Sequence, residues 1–310
     1  LLGHGVKKLG EDVEFSEAYD FSGARPHQSD HRAPARPSPG QGWLHLAICT
    51  LSPMMTALPS ADPDASPATA LLLAAGRGER MRPLTDKTPK PLLAVQGKPL
   101  MQWPMEAMAQ GGVHHLVINT DWLGEQIPAR FGTAFQAPGM PTPMRLRYSE
   151  EGRDFGGALE TAGGIVRALP SLDKVFWVAA GDVYAPEFRF LEAERQAFAQ
   201  SGQWAHLWLV PNPAHNPRGD FGLSPDGLAL KLPQNSTAPR YTFSTIALYH
   251  RAFFSPPVCT IAMGNPEGVR AALAPMLRHA MDLGKVSAAL YTGAWTDVGT
   301  PERLAALNAI

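Results

Sequence analysis

The sequence predicts an α/β fold, a Rossmann-like three-layer sandwich around a mostly parallel mixed sheet. Short apolar runs alternate with helical patterns from residue 70 onward, as is typical of repeated strand–helix–strand units. The 310 residues are 45% hydrophobic and 18% charged, so the chain can bury a core. After Tyr184 the pattern changes to two further apolar runs with a turn sequence between them, which indicates added, partly antiparallel strands.

The first half of this pattern supplies the parallel part of the sheet. Its predicted strands are LLLAA at 71–75, HLVIN at 115–119, RLRYS at 145–149 and VFWVAA at 175–180, and its predicted helices are 99–110, closed by Gly111 and Gly112, and 160–169. Continuous apolar strands are expected where helices cover both faces of a sheet. Ligands of such sheets bind at the carboxyl ends of the strands.

The second half is predicted to extend the sheet and to close the domain with helices. Strands are predicted at 204–210 and 242–250, with a hairpin through SPDG at 224–227. A helix is predicted from about Glu267 to Leu283, ended by Gly284. The last helix follows YTGAWTDVGT, with Thr300 as its cap and Pro301 in its first turn.

The first 67 residues differ in composition from the remainder. They mix Pro, Ser, Gly, His and Asp without periodicity, so they cannot bury enough apolar surface to offset chain entropy. We expect residues 1–67 to form a disordered N-terminal extension and residues 68–310 to form the folded domain. Because the chain begins with Leu1 and the domain opens after Met54 and Met55, one hypothesis places the extension upstream of the native start.

Charge and cysteine content exclude several classes of protein. The formal net charge is −1 and no long basic run occurs, which argues against a nucleic acid partner. Cys49 and Cys259 are the only cysteines, so a disulfide framework and a cysteine-rich metal site are excluded and a reducing, cytoplasmic location is expected. The early apolar stretch at 43–51 is too short to span a bilayer, so no membrane association is expected. The sequence does not indicate an oligomeric state.

Residues 71–92, LLLAAGRGERMRPLTDKTPKPL, carry the strongest functional signal. Gly76 and Gly78 lack a β-carbon, so backbone N–H groups after the strand can face a triphosphate, with cations placed just beyond. The letters match neither a P-loop nor a dinucleotide fingerprint, whose third glycine is replaced by Met81. Taken alone, the two glycines fit an ordinary turn equally well.

The longer string AAGRGERMRPLTDKTPKPL resembles the signature of sugar-phosphate nucleotidyltransferases, and the resemblance covers about residues 70–308. It implies a fold of the nucleotide-diphospho-sugar transferase type, with UTP and a sugar 1-phosphate as substrates. It also implies that Gly78, Glu79 and Arg80 contact the triphosphate, with Lys90 as the essential cation and Arg80 beside it in catalysis. Within the family, the similarity is greatest to the uridylyltransferases that use N-acetylmuramic acid 1-phosphate in cell-wall recycling.

The implied reaction is attack by the sugar phosphate on the α-phosphorus of UTP. A phosphate monoester has a second pKa of about 6, so the nucleophile is already anionic and needs no general base. The enzyme must instead bring two anions together, orient them and neutralise the developing charge. Lys90 suits this task, because it stands between Pro89 and Pro91 on a stiffened backbone.

Two aspartates are predicted to hold Mg²⁺. Asp182 follows the predicted strand at 175–180 after one residue, Gly181, and Asp297 ends the strand-like run AWTD. The resemblance implies that both are metal ligands, and carboxylate oxygens suit this ion. A turn residue and a helix-entry residue are the alternatives for the two positions. The family usually has Asn two residues before the first aspartate, and Ala180 here removes that side-chain contact.

Further candidates lie beside the expected sugar and nucleoside. Glu160, Thr161 and Gly163 occupy the segment ALETAGGIV, which matches a family segment that opens a helix next to these groups. Asp220, in RGDFG, matches a position near the acceptor sugar, and Glu151, in EEGRDFGG, is a candidate for base recognition. A helix with interior glycines and a hairpin-start aspartate remain alternatives.

Several hypotheses about the function of the chain remain open at this point. Other members of the class transfer thymidylyl or uridylyl groups to glucose 1-phosphate, or guanylyl groups to mannose 1-phosphate. A non-catalytic protein that binds nucleotide sugars would not need Lys90, Asp182 and Asp297 together. A nicotinamide-dependent oxidoreductase is disfavoured by the missing third glycine. Asn119 and Trp122 resemble the relatives' loop after the second strand, and packing explains Trp122 equally well.

Overall fold

The computed structural model describes residues 68–309, which are built around one large sheet. In this part of the chain the strands are β1 Ala68–Leu73, β2 Ala94–Val95, β3 Lys98–Pro99, β4 Val113–Thr120, β5 Ala134–Phe135, β6 Met144–Glu150, β7 Val175–Ala180, β8 Val183–Tyr184, β9 Ala205–Val210, β10 Gly222–Leu223, β11 Ala229–Leu230, β12 Thr242–His250, β13 Val286–Leu290 and β14 Thr296–Asp297. The α-helices are α1 Gln102–Gln110, α2 Gln126–Phe131, α3 Glu151–Phe155, α4 Glu160–Ala168, α5 Glu192–Gln200, α6 Leu273–Asp282 and α7 Pro301–Asn308.

The main sheet has eight strands in the order β13-β9-β12-β7-β1-β4-β6-β5. The pairs β13/β9, β7/β1, β1/β4 and β4/β6 are parallel, whereas β12 runs antiparallel to both of its neighbours and β5 runs antiparallel to β6. The predicted mostly parallel mixed sheet is confirmed. In the register, Leu73 stands opposite both Asn119 and Ala180, so the central strands end together at one edge. Polar residues that follow these strands therefore meet at that edge.

Helices cover both faces of this sheet and complete the predicted three layers. One core packs α4 and α6 against the sheet, and the opposite core packs α1, α2 and α5 against it. Leu71 and Leu72 are both fully buried, and each belongs to a different core, because neighbouring strand residues point to opposite faces. Because side chains on both faces of the sheet are buried, the sequences of the central strands are continuously apolar.

A third, smaller core joins the C-terminal helix to the segment after β1. Met81, from that segment, packs with Leu100, Tyr184, Val298 and residues of α7. The helix begins as predicted, since the Thr300 hydroxyl accepts a hydrogen bond from the backbone N–H of Arg303 and Pro301 lies in the first turn. The chain beyond Asp297 is thereby fixed close to the glycine-containing loop.

The helix predicted from about Glu267 starts later, at Leu273. The Asn265 side chain accepts from the backbone N–H of Val269 and donates to its carbonyl, both at 2.8 Å, and Gly268 adopts φ +65°. These contacts hold residues 265–269 in a turn that competes with helix formation. The predicted end at Gly284, with φ +65°, and the hairpin through 224–227 are both confirmed.

The N-terminal predictions lie outside the described residues, so the proposed extension at 1–67 stays a prediction. Within residues 68–309, the longest helix has 10 residues, and none has the length and apolar character needed to cross a bilayer.

Candidate active site

A cavity of about 600 Å³ opens where the central strands end. One wall is formed by the loop after β1 and the residues that follow β7, and the other by the beginning of α4 and one side of α6. Residues of β12 and the segment before β10 close the cavity between these walls. The cavity thus lies where ligands of open α/β sheets bind.

The glycine loop presents backbone N–H groups beside Lys90. The N–H groups of residues 75–78 find no acceptor among residues 68–309. Gly78 adopts φ +65°, and a β-carbon there would lie 3.1 Å from both the Lys90 Cβ and the Thr85 Cγ2. The Thr85 hydroxyl donates to the Gly78 carbonyl at 2.8 Å, which fixes the loop. Glycine is therefore required at 78 both by the backbone angle and by the contact with Lys90.

The side chains that follow the loop are more exposed. Arg77 lies 4.5 Å above the Trp122 ring and 3.7 Å from the Glu79 carboxylate, and the Trp122 indole N–H donates to the Thr85 carbonyl at 2.8 Å. Trp122 thus supports the loop from outside. Glu79 and Arg80 are exposed and do not line the cavity, so their contacts to a nucleotide stay a prediction.

Lys90 forms an ion pair with Asp182, which lines the cavity. Only 8% of Lys90 is exposed, and its ammonium group contacts the Asp182 carboxylate. The backbone N–H of Gly181 donates to the Leu73 carbonyl at 2.8 Å, which ties the Asp182 segment to the end of β1. The structure thereby brings the predicted cation and the first predicted metal ligand together.

Asp297 is brought beside Asp182 by the short ladder between β8 and β14. Asp297 pairs with Val183, and the backbone N–H of Val298 donates to the Asp182 carbonyl at 2.9 Å. The Asp297 Oδ1 atom contacts Arg303 at 2.6 Å and the His215 Nε2 atom at 2.7 Å. No role was predicted for His215, because the histidines of the chain show no metal-ligand spacing.

The donor set fits a magnesium ion bound together with phosphates. Within residues 68–309, Asp182 Oδ1 and Asp297 Oδ2 accept no hydrogen bond, which leaves one oxygen on each carboxylate for a cation. No group of three or more potential ligand side chains (His, Cys, Asp or Glu) occurs in this part of the chain. Mg²⁺ is commonly held by one or two carboxylates plus substrate phosphates, so two aspartates suffice.

Glu151 lies at the centre of a buried hydrogen-bond chain. It is 1% exposed, and its two oxygens accept from the Asn119 amide and from the backbone N–H of Leu159, both at 2.8 Å. The Asn119 oxygen accepts from the backbone N–H of Ala74 at 2.8 Å. Burial raises the pKa of Glu151, and the two donors oppose that shift. Glu151 also lines the cavity, and its predicted contact with the base stays a prediction.

The beginning of α4 carries the predicted sugar-side residues. Glu160 and Thr161 line the cavity, and Glu160 has φ +58°, an uncommon angle for a residue with a side chain. Gly163 packs elsewhere, since a β-carbon there would lie 2.5 Å from the Val269 carbonyl oxygen. Its close approach is therefore to the segment before α6 rather than to the cavity.

Asp220 also lines the cavity. Its oxygens accept from the backbone N–H of Phe243 at 2.8 Å and from the Asn216 amide at 3.2 Å. These contacts also hold the backbone where the hairpin begins. Asp220 can therefore act as a hairpin-start residue and still be available to bind a sugar.

Thr245 and Arg278 line the cavity, and the sequence pattern predicted a functional role for neither of them. Thr245 has φ +65° at a register shift in β12, and a β-branched residue is a genuine outlier at such an angle. Arg278 lies on the cavity side of α6, in a stretch whose pattern predicts only an amphipathic helix. Both depend on contacts between distant segments, which no local pattern reports.

A family model described as "Nucleotidyl transferase" matches residues 69–310. The chain is 44% identical over 243 residues to N-acetylmuramate alpha-1-phosphate uridylyltransferase from Neisseria meningitidis serogroup B, covering 78% of this chain and 97% of that relative. A relative of the same description from Caulobacter vibrioides is 30% identical over 250 residues, with 79% and 97% coverage.

A solved structure with a similar fold is the inositol-1-phosphate CTP transferase from T. maritima. The TM-score is 0.55 at 18% sequence identity, and the match covers 78% of this chain and 97% of that one. The likeness supports the fold assignment, a nucleotide-diphospho-sugar transferase type of α/β sandwich.

The hydrogen-bond chain through Glu151 predicts that Gly164 cannot be replaced. A β-carbon at 164 would lie 2.5 Å from the Glu151 Oε1 atom and 2.9 Å from the Asn119 amide nitrogen. We expect Gly164→Ala to lower the free energy of unfolding by roughly 1–3 kcal/mol, because overpacking outweighs the helix preference of alanine. Urea unfolding measures this change.

Gly76→Ala is the matched control, since a β-carbon at 76 meets no atom within 4 Å. Its stability should stay within about 0.5 kcal/mol of wild type. A Gly164→Ala protein as stable as wild type would show that the buried chain tolerates displacement.

Proposed function

The chain belongs to the nucleotidyl transferase family, and we propose that it transfers UMP from UTP to N-acetylmuramic acid 1-phosphate. The products are UDP-N-acetylmuramic acid and pyrophosphate, and the reaction would serve cell-wall recycling. The family match and the relatives support the broader activity, that of a sugar-1-phosphate nucleotidyltransferase. The choice of base and acceptor is carried by one observation, the 44% identity along 97% of the Neisseria relative.

The geometry of the phosphate end supports this chemistry. Unpaired N–H groups of the glycine loop, the Lys90 ammonium and two carboxylates all lie at the same edge of the sheet. Lys90 is largely buried, so its charge acts with little screening on a phosphoryl group bound against the loop. The loop and Lys90 are held before substrate arrives, so little reorganisation is needed during reaction.

Asp182 and Asp297 would hold Mg²⁺ through their oxygens that have no partner. When bound there, the ion supplies positive charge to the phosphate oxygens of both substrates. Lys90 contacts Asp182 on its other oxygen, and Arg303 contacts Asp297, so each carboxylate is oriented by a cation of the chain.

The attacking phosphate needs no base, which agrees with the residues around it. The second pKa of a phosphate monoester is about 6, so the nucleophile is anionic near neutral pH. What the chain must do is hold two anionic substrates in line. A non-catalytic nucleotide-sugar-binding protein would not require the cation and both carboxylates at one edge, so the geometry favours an enzyme.

A substrate matrix tests the proposed specificity. Four nucleoside triphosphates are crossed with the 1-phosphates of N-acetylmuramic acid, N-acetylglucosamine, glucose and mannose, and pyrophosphate release is measured with Mg²⁺. We expect UTP with N-acetylmuramic acid 1-phosphate to give the highest kcat/KM, because specificity lies in cavity contacts rather than in the chemistry. A clear preference for another pair would replace the proposal by that activity.

Lys90→Ala should leave the fold intact and lower kcat by about 100-fold or more, as expected when a preorganised charge is removed from a transition state. Pyrophosphate release measures the rate, and thermal unfolding measures the fold. Lys87→Ala is the matched control, because Lys87 is exposed and lies in the same segment. Near-normal release by Lys90→Ala would remove Lys90 from the reaction.

Asp182→Asn and Asp297→Asn should each lower kcat by about 100-fold and raise the Mg²⁺ concentration needed for half-maximal rate, because an amide is a weaker ligand than a carboxylate. Rates are measured as a function of Mg²⁺ concentration, with Asp226→Asn in the exposed hairpin turn as control. A variant whose Mg²⁺ curve overlays that of wild type does not lose a metal ligand.

A further inference from the structure

The charges that line the cavity are unevenly distributed. Among the lining residues in the described part of the chain, the acidic ones are Glu151, Glu160, Asp182 and Asp220, and the one basic residue is Arg278. None of these acids forms an ion pair with Arg278 among residues 68–309; Asp182 pairs instead with Lys90. A second anionic group on a ligand, away from the phosphates, would be repelled by most of the cavity and attracted at Arg278.

Arg278 is carried by a well-anchored helix. Leu277 and Ala280 of α6 are buried in the core beneath it, and Ala274, one turn earlier, lines the cavity with it. Asp282, one turn later, is bound by Lys231 at 2.8 Å. Within residues 68–309, Arg278 itself makes no ion pair and no side-chain hydrogen bond. Its guanidinium group is thus an exposed cation at the cavity wall that is available to a ligand.

A second donor without a partner lines the same cavity. Tyr249, on β12, is 0% exposed, and its hydroxyl has no hydrogen-bond partner among the described residues. Burial raises the pKa of Tyr249, so the hydroxyl stays a neutral donor. Tyr249 therefore adds no charge to the cavity lining, which leaves Arg278 as the basic lining residue available to an anion.

The phosphate end and the Arg278 side are formed by different elements. The phosphate end lies at the glycine loop and Asp182, which follow β1 and β7, whereas Arg278 projects from α6 on the other wall. The lining also includes apolar residues, among them Val178, Phe243 and Leu277. A sugar ring fits such a space, with its phosphate at one end and a second polar group at the other.

We propose that Arg278 binds the lactyl carboxylate of the acceptor and is the residue that selects N-acetylmuramic acid 1-phosphate over N-acetylglucosamine 1-phosphate. The proposal rests on the proposed function. The two sugars differ only in the lactyl ether, which adds one carboxylate. A guanidinium group matches a carboxylate with two parallel hydrogen bonds, which an ammonium group cannot reproduce.

Kinetics of Arg278→Gln and Arg278→Lys test this assignment. At saturating UTP, Arg278→Gln should raise the KM for N-acetylmuramic acid 1-phosphate by about 10- to 100-fold, the range for a lost charged hydrogen bond, while the KM for UTP changes less than about 3-fold. Arg278→Lys should recover part of the loss. The KM for N-acetylglucosamine 1-phosphate, or its inhibition constant where turnover is too slow, should stay near the wild-type value.

His279→Gln is the control, because His279 is exposed, lies on the same helix and does not line the cavity. If wild type uses N-acetylmuramic acid 1-phosphate and Arg278→Gln keeps the wild-type preference between the two sugars, Arg278 is not the selecting residue and the proposed function stands. If wild type does not use N-acetylmuramic acid 1-phosphate, the proposed function fails and this proposal fails with it. A KM that rises equally for both sugars contradicts selection by Arg278.

Discussion

A buried chain of hydrogen bonds at the carboxyl edge of the sheet holds the site together, and the Glu151 carboxylate is its centre. Through Asn119, the carboxylate is linked to the end of β4 and to the backbone after β1. Through the backbone N–H of Leu159, it is linked to the beginning of α4. A buried carboxylate is tolerated only where donors satisfy it, so each partner is held in place by the cost of leaving the charge unpaired. The glycine at 164 lets α4 come close enough to complete the contact.

This constraint fixes two functional segments at once. Because Ala74 is held by Asn119, the loop that follows starts in a defined direction, with N–H groups at 75–78 left for a ligand. Because Leu159 is held by Glu151, α4 begins at the cavity, and the uncommon backbone angle of Glu160 is maintained there. The two walls of the cavity are therefore positioned by the same group.

Charge balance organises the phosphate end. Lys90 neutralises Asp182, while Arg303 and His215 contact Asp297, so the carboxylates and cations stabilise one another when no substrate is bound. A bound triphosphate and metal would contact charges that are already paired within the protein. Because these charges are already partly desolvated, the desolvation cost of binding is lower. On the α6 side of the cavity, Arg278 has no ion-pair partner among the described residues and lies beside the apolar residues Ala274 and Leu277. Under the proposed function, this cavity would hold the phosphates beside the glycine loop, and Arg278 would discriminate between acceptor sugars.

The sequence by itself determined the α/β class, most of the strands and helices and the glycine loop with Lys90, because apolar periodicity, glycines and helix caps act over a few neighbouring residues. It also marked Asp182 and Asp297, since each follows an apolar run. Their proximity was decided by the tertiary structure, through the pairing of β8 with β14. The late start of α6, the burial of Glu151 and the position of Arg278 likewise depend on contacts between segments far apart in the chain. Such contacts follow from strand register and helix packing, which a local pattern does not specify.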